Sequence, residues 1–136
     1  MSTVKVLVAT AEREVYRGEA EMLVAPGAAG ELGILPKHAP LLSQLKPGEL
    51  RITNGENVDE VFVSGGYIEV QPDMITVLAD SAERATDMDE AAAVAAQRKA
   101  EEMLDSQKGT IDLAVAEAEL SIMAARLEWI KKKKKH

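Results

Sequence analysis

The hydrophobic period of this chain changes once, near residue 87, and that change divides what it can fold into. From Thr3 to about Asp80 apolar residues recur every second position: Val4, Val6 and Val8, then Ile68 and Val70, then Ile75 and Val77. A period of two places alternate side chains on opposite faces of a strand. Turn signals interrupt it repeatedly, at Pro47-Gly48, Asn54-Gly55, Gly65-Gly66 and Pro72-Asp73. Short strands at that spacing leave no room for helices between them, so residues 1–86 are expected to form an antiparallel β-sandwich or flattened barrel. Several of these strands are apolar on both faces, as expected where two sheets close on each other.

After Thr86 the pattern becomes helical. Asp87 followed by Glu90 resembles a capping box, and alanine, the strongest helix former, then dominates through Ala100. Gly109 marks a stop, and Thr110 can cap a second helix from Ile111 to about Ile130. Residues 87–136 are therefore expected to form an antiparallel two-helix hairpin. The second helix carries two apolar stripes, one through Ile111, Val115, Ala118, Ile122, Ala125 and Trp129, the other through Leu113, Ala116, Leu120, Met123, Leu127 and Ile130. One partner helix covers one stripe, so the other needs a second surface. The first helix offers mainly alanines, and each missing buried methylene forfeits about 0.8 kcal/mol. A loosely held hairpin with two docking states follows.

Composition narrows the function. Only 3% of residues are aromatic, so the core must be built from Val, Leu, Ile and Ala. There is no cysteine, which removes disulfides and thiolate metal sites. The two histidines, His38 and His136, cannot complete a three-ligand zinc site unless carboxylates join. No phosphate-binding glycine motif is present, and Ser64 has only His38 in the sandwich to activate it. No active site, cofactor or metal site is expected. A net charge of −7 argues against a nucleic-acid footprint. The start, Met1-Ser-Thr-Val-Lys-Val, has neither a signal peptide's apolar region nor an Arg-rich presequence. No apolar run approaches the roughly 20 residues that span a bilayer. A soluble cytoplasmic chain that reaches membranes only through a partner is expected.

The segment Gly30 to Gly48 holds three glycines, three prolines and five leucines in nineteen residues. Proline fixes φ and glycine opens otherwise closed conformations, so this reads as a shaped apolar loop joining strands and pressing against something. Its wording, Gly-Glu-Leu-Gly-Ile-Leu-Pro-Lys-His-Ala-Pro-Leu-Leu, resembles the epsilon subunit of bacterial F-type ATP synthase. Val63-Ser-Gly-Gly-Tyr-Ile-Glu-Val-Gln-Pro, Ile75-Thr-Val-Leu-Ala-Asp-Ser-Ala, Asp89-Glu-Ala-Ala-Ala and Gln97-Arg-Lys-Ala-Glu-Glu continue the resemblance in order, over nearly the whole chain.

The resemblance implies a non-catalytic central-stalk subunit that couples the gamma subunit to the membrane-embedded proteolipid ring, with a mobile hairpin that restrains ATP hydrolysis. It implies ring contact by Glu31, Leu32 and Gly33, and gamma-subunit contact by His38, Ala39 and Leu42. In the extended state the hairpin would meet the alpha and beta subunits through Arg98, Lys99, Lys108, Leu120, Met123, Arg126, Leu127, Ile130, Lys131, Lys132, Lys133, Lys134 and Lys135. The location implied is the cytoplasmic face of a bacterial plasma membrane, the missing presequence setting the chain apart from the mitochondrial counterpart. Where many relatives carry an Ile/Leu-Asp-x-x-Arg-Ala motif for ATP, this chain reads Met88-Asp89-Glu90-Ala91-Ala92-Ala93. Ala92 supplies no donor for a phosphate, so ATP sensing is not expected. Read without the family, the same features also fit an adaptor, a sandwich binding domain with a dimerising hairpin, and more remotely a small-barrel metal-dependent enzyme. The lysine run on its own reads as a solvated tail.

Overall fold

A computed structural model of the protein describes residues 2–87, 90–106 and 113–134. It separates into two compact units, Met1–Asp87 and Met88–His136.

The first unit holds ten strands: β1 (Val4–Ala9), β2 (Glu14–Ala20), β3 (Met22–Gly27), β4 (Gly30–Ile34), β5 (Leu41–Leu45), β6 (Gly48–Asn54), β7 (Asn57–Val63), β8 (Gly66–Gln71), β9 (Met74–Ala79) and β10 (Ala82–Arg84). They form one continuous path, β10-β7-β6-β3-β5-β8-β9-β1-β2, with β4 pairing β3 beside it. This is the expected sandwich, closed enough to approach a barrel. Its core is almost wholly aliphatic, with Val4, Val6, Val8, Leu23, Ile34, Leu50, Ile52, Val61, Ile68 and Ile75 all buried.

Three features depart from the sequence expectation. The segment read as a loop contains two strands, β4 and β5, because Leu32/Ile34 and Leu41/Ser43/Leu45 keep the period of two between the prolines. The pairing of β1 with β9 is parallel while every other ladder is antiparallel, so the unit is not antiparallel throughout. The apolar residues on the second face of β5, β8 and β9 are not closed over by another sheet. Leu42, Tyr67 and Leu78 lie outward and exposed.

The chain changes sheet halves at two adjacent corners. Val63-Ser-Gly-Gly carries it from β7 to β8, and Ala79-Asp-Ser-Ala from β9 to β10. The corners are tied together: Ser64 N donates to Ser81 O at 3.0 Å, Asp80 N donates to Gly65 O at 3.0 Å, and the Ser81 hydroxyl donates to Ser64 Oγ at 2.7 Å. Gly65 and Gly66 take φ of 126° and 128°, a region closed to most side chains.

The two ends of the strand path, β2 and β10, share no ladder, and side chains bridge them instead. The Arg84 guanidinium pairs with Asp59 at 3.4 Å and lies 5.6 Å from the centroid of the Tyr16 ring. Burial, and then the neighbouring Asp59 carboxylate, push the Tyr16 phenol up. The ring has room because residue 18 is glycine, where a Cβ would meet the Tyr16 hydroxyl at 2.6 Å.

The first unit ends in a 3-10 turn at Ala85–Asp87, and the second holds α1 (Glu90–Ser106) and α2 (Leu113–Lys134). Asp87 belongs to that turn, and the capping-box junction between it and Glu90 lies partly outside the described residues. The stop at Gly109, the cap at Thr110 and Lys108 also lie outside them. The helices pack together. A parallel arrangement would require the connection to retrace all of α1, about 25 Å at ~1.5 Å per residue. The seven steps from Ser106 to Leu113 reach about 23–25 Å only at full extension, with nothing left for the two reversals, so the pair is antiparallel. Helix α2 continues past Ile130 through Lys134, so the lysine run is largely helical rather than a tail. Lysine is a good helix former, and cations are favoured where the helix dipole ends negative. Burial along α2 is uneven: Leu127, Trp129 and Ile130 are buried, Leu120, Ile122 and Met123 are half-buried, and Val115 is exposed. Both apolar stripes are thus covered at the far end of the helix.

A Cβ added at Gly66 would run into the carbonyl oxygen of Leu78 and the Cα of Ala79, both backbone atoms. Gly66→Ala is therefore expected to lower the unfolding free energy by more than about 2 kcal/mol, read from the urea midpoint.

Candidate functional site

The described residues contain no cluster of three or more His, Asp or Glu side chains able to hold a metal ion. Two hollows in the sandwich have volumes of about 250 and 270 Å³. Small-molecule sites usually occupy roughly 300–1,000 Å³. Two surfaces of this unit stand out.

The first is the hairpin of β3 and β4. Its register pairs Gly27 with Gly30, Pro26 with Glu31, Ala25 with Leu32 and Val24 with Gly33. Leu32 packs inward against the core, while Glu31 and Gly33 point outward and are exposed. The three residues expected to contact a ring are thus contiguous, but they do not share a face.

The second surface begins at the turn Leu35-Pro36-Lys37-His38. His38 N donates to Leu35 O at 3.2 Å, closing a four-residue turn with proline at its second position. In its type II form such a turn has positive φ at its third position, usually supplied by glycine. Here Lys37 takes φ 66°. Lys37 N also donates to Pro72 O at 2.9 Å, tying the turn to the β8–β9 connection. The His38 ring places Nδ1 2.7 Å from Ala39 O, a carbonyl that can only accept, so Nδ1 is the donor. Ala39 is exposed and His38 half-buried.

From this turn the outward face of β5, β8, β9 and β1 extends as an apolar path. Leu42 is 68% exposed, Tyr67 54% and Leu78 59%. Tyr67 pairs directly with Leu78, Leu78 with Ala9, and Leu42 is the diagonal neighbour of Tyr67, opposite Glu69. Diagonal neighbours on one face lie about 7–8 Å apart, within reach of long side chains. His38, Ala39 and Leu42 thus lead into a larger surface whose other members, Tyr67 and Leu78, the sequence reading passed over. The available signal is an apolar residue at the position where a solvated strand face would be polar.

In the helical unit Arg98, Lys99, Lys131 and Lys132 are exposed, whereas Leu127 and Ile130 are buried and Leu120 and Met123 half-buried. The apolar residues expected to reach other subunits are therefore covered in this conformation. Arg126 and Lys133 are half-buried, the Lys134 side chain is not described, and Lys135 lies outside the described residues. No described helix is long and apolar enough to cross a membrane.

Residues 3–85 match the beta-sandwich domain of the ATP synthase delta/epsilon chain, and residues 86–131 match its long alpha-helix domain. The chain belongs to the ATP synthase epsilon-chain family. An ATP synthase epsilon chain of Acidithiobacillus ferridurans is 54% identical over 130 residues, covering 96% of this chain and 92% of that one. Another, from Bordetella petrii, is 53% identical over 127 residues, covering 93% and 90%. The fold is also similar to a chain in the cryo-EM structure of Euglena gracilis mitochondrial ATP synthase described as OSCP/F1/c-ring, with a TM-score of 0.68 and 19% identity over 98% of this chain and 82% of that one. A second, from the central stalk/c-ring of Tetrahymena thermophila mitochondrial ATP synthase, has a TM-score of 0.60 and 19% identity, covering 95% and 97%. Family resemblance and fold class thus agree with the sequence reading. Epsilon chains are non-catalytic subunits of their complex, so the metal-dependent enzyme reading falls.

The left-handed backbone at Lys37 costs roughly 1 kcal/mol for a residue with a Cβ. Lys37→Gly is expected to raise the stability of the isolated protein by about that amount, measured by urea unfolding.

Proposed function

We propose that this epsilon-family chain is a central-stalk subunit of an F-type ATP synthase that joins the gamma subunit to the proteolipid ring, with a helical pair that restrains ATP hydrolysis. The observation that carries the first part is the exposed path Leu42–Tyr67–Leu78. A contiguous apolar surface on a sandwich whose core is already complete is the usual mark of a protein-binding face. Its continuity with the His38–Ala39 turn favours the gamma subunit as its occupant, with the Glu31–Gly33 hairpin as the ring-facing element. The assembled complex then sits on the cytoplasmic face of a bacterial membrane, and no described helix of this chain is long and apolar enough to cross it.

The second part rests on the helices. An alanine-rich α1 buries little area per residue, so separating the pair requires little free energy. A shift from mostly packed to mostly extended needs only about 5 kcal/mol of differential binding. In the extended state Leu120, Met123, Leu127 and Ile130 would supply apolar contacts to the alpha and beta subunits. Arg98, Lys99, Lys108, Arg126 and the lysines from Lys131 to Lys135 would supply attraction to acidic segments, screened by salt. ATP is not expected to stabilise the packed form, since Ala92 offers no phosphate donor. The period change after Thr86 supports two separable modules, residues 1–86 and 87–136.

Two measurements test this reading. Leu78→Asp is expected to leave the isolated protein folded, because residue 78 is outward, and to weaken its co-purification with gamma by at least tenfold. Unchanged retention would remove the apolar path from the interface. Deleting residues 88–136 is expected to leave a cooperatively melting sandwich that still supports ATP synthesis, while ATP hydrolysis rises several-fold. Hydrolysis equal to that of the full-length enzyme would leave no brake to explain.

A further inference from the structure

Each of β1 to β9 contributes at least one buried residue to the sandwich, and β10 contributes none. The 3-10 turn that follows it, Ala85–Asp87, has no buried residue either. The last six residues of the first unit, Ala82 to Asp87, therefore lie on the sandwich without a buried side chain of their own. They are also the segment through which the chain leaves for the helices. Segments with few buried contacts are the ones that open locally while the rest of a fold stays closed.

Main-chain bonding to this segment is sparse. The two-residue turn Gly55-Glu56 makes Asn54 and Asn57 the closing bonded pair of their hairpin, and bonded and non-bonded pairs alternate from there. Val61 and Val63 then turn their N–H and C=O groups toward β6. Phe62 turns its own toward β10, opposite Glu83, while Ala82 and Arg84 face non-bonded partners. Before β10 the corner is secured by Ser64 N on Ser81 O at 3.0 Å. Within β10 the ladder bonds fall at Glu83. Arg84 supplies a further hold. It pairs with Asp59 of β7 at 3.4 Å and lies 5.6 Å from the centroid of the Tyr16 ring of β2. That pair is open to water, its side chains 36% and 38% exposed. Beside it lies a hollow of about 250 Å³ lined by Val58, Asp59, Glu60, Arg84, Ala85 and Thr86, so the turn is not closely packed there.

We propose that Ala82–Asp87 is a releasable tether, latched onto the sandwich by Arg84 and anchored at the Ser81 corner. In the release step Arg84 leaves Asp59 and Tyr16, and Glu83 gives up its bonds to Phe62. The buried core residues, none of which lies on β10, stay enclosed. Once free, the six residues span up to about 20 Å, which lengthens the reach of the helical unit. This deepens the reading in which the helices restrain ATP hydrolysis, and rests on it.

The test reads the latch and the tether separately. In the isolated full-length protein, Arg84→Ala is expected to speed amide exchange at Glu83 at least tenfold, while Val61 and Val63, bonded to β6, are unchanged. Unaltered exchange at Glu83 overturns the latch. The chain has no cysteine, so an introduced pair has no competitor within it. Val61 and Arg84 face each other as a non-bonded pair, with Cα atoms about 4.5 Å apart, a separation a disulfide can bridge. In the complex with alpha, beta and gamma subunits, Val61→Cys/Arg84→Cys is expected to restrain ATP hydrolysis when reduced. After oxidation, with thiol titration confirming the bond, hydrolysis is expected to rise several-fold toward that of a chain ending at Asp87, and to fall again on reduction. The wild-type chain controls for the reagents. Arg84→Ala alone is expected to deepen the restraint at least twofold. Equal restraint in the oxidised and reduced pair, or restraint no deeper in Arg84→Ala, overturns the tether and leaves the restraint reading standing. Hydrolysis unchanged by removal of residues 88–136 overturns the restraint reading, and the tether with it.

Discussion

The sandwich depends on the paired corners at Ser64–Gly66 and Ala79–Ser81. A path of strands joined only by neighbouring ladders can curl but cannot stack into two layers unless some segments leave one half and enter the other. Here two segments do so side by side, and the backbone of each satisfies the other: Ser64 with Ser81, Asp80 with Gly65. The passage is tight enough that Gly66 lies against the main chain of Leu78 and Ala79. Positive φ at Gly65 and Gly66 lets the chain turn there without an intervening loop. The aliphatic core is then enclosed almost without aromatics. Val61, Val63, Ile68 and Val77 flank the corners and are fully buried.

Because the corners close one end of the path, the other seam can remain unladdered. Between β2 and β10 lies a cation over a ring, Arg84 on Tyr16, and the same guanidinium pairs with Asp59 of the neighbouring β7. Each is individually modest, about 0.5–1 kcal/mol for partly exposed groups. The seam is thus softer than the corners, and β10, with three residues, runs directly into the 3-10 turn and the helices. The rigid part of the unit is where β5, β8, β9 and β1 present their outward apolar face. A surface meant to hold a partner without yielding is best carried by such strands.

Period and punctuation made most of this legible. Val4, Val6 and Val8, or Ile75 and Val77, announced inward faces, and Asn54-Gly55 announced a hairpin in which only Gly55 takes positive φ. What local pattern does not encode is the partner of a strand distant in sequence. Nothing in Val4–Ala9 says that it lies parallel to Met74–Ala79, because either direction keeps the same valines inward. The prolines of the Gly30–Gly48 segment hid two strands for a different reason. Pro36 and Pro40 punctuate only the turn between them, and four to five residues of alternation on either side suffice for a ladder. Of the candidate surfaces, Glu31, Leu32, Gly33, His38, Ala39 and Leu42 came from family wording. Tyr67 and Leu78 required knowing which face of the sheet was already filled. For Lys131 through Lys134, charge density argued for solvent and was right for Lys131 and Lys132, yet it carried no information about backbone conformation.

The two units differ in the kind of packing that holds them, and the difference suits different tasks. In the sandwich, residues distant in sequence interlock and the core side chains are branched and fully enclosed, so deformation costs many contacts at once. In the helical unit α1 is rich in alanine. The helix backbones can approach closely, but little apolar area is removed from water, and burial concentrates near Leu127, Trp129 and Ile130. A pair built on such small side chains separates without first breaking a whole core. Such a helix pair suits a conformational switch poorly defended against a competing surface, whereas the sandwich suits the transmission of force. Placing both on one chain allows the switch to move while the coupling element keeps its shape, and in the proposed role that separation lets restraint of hydrolysis change without uncoupling the rotor.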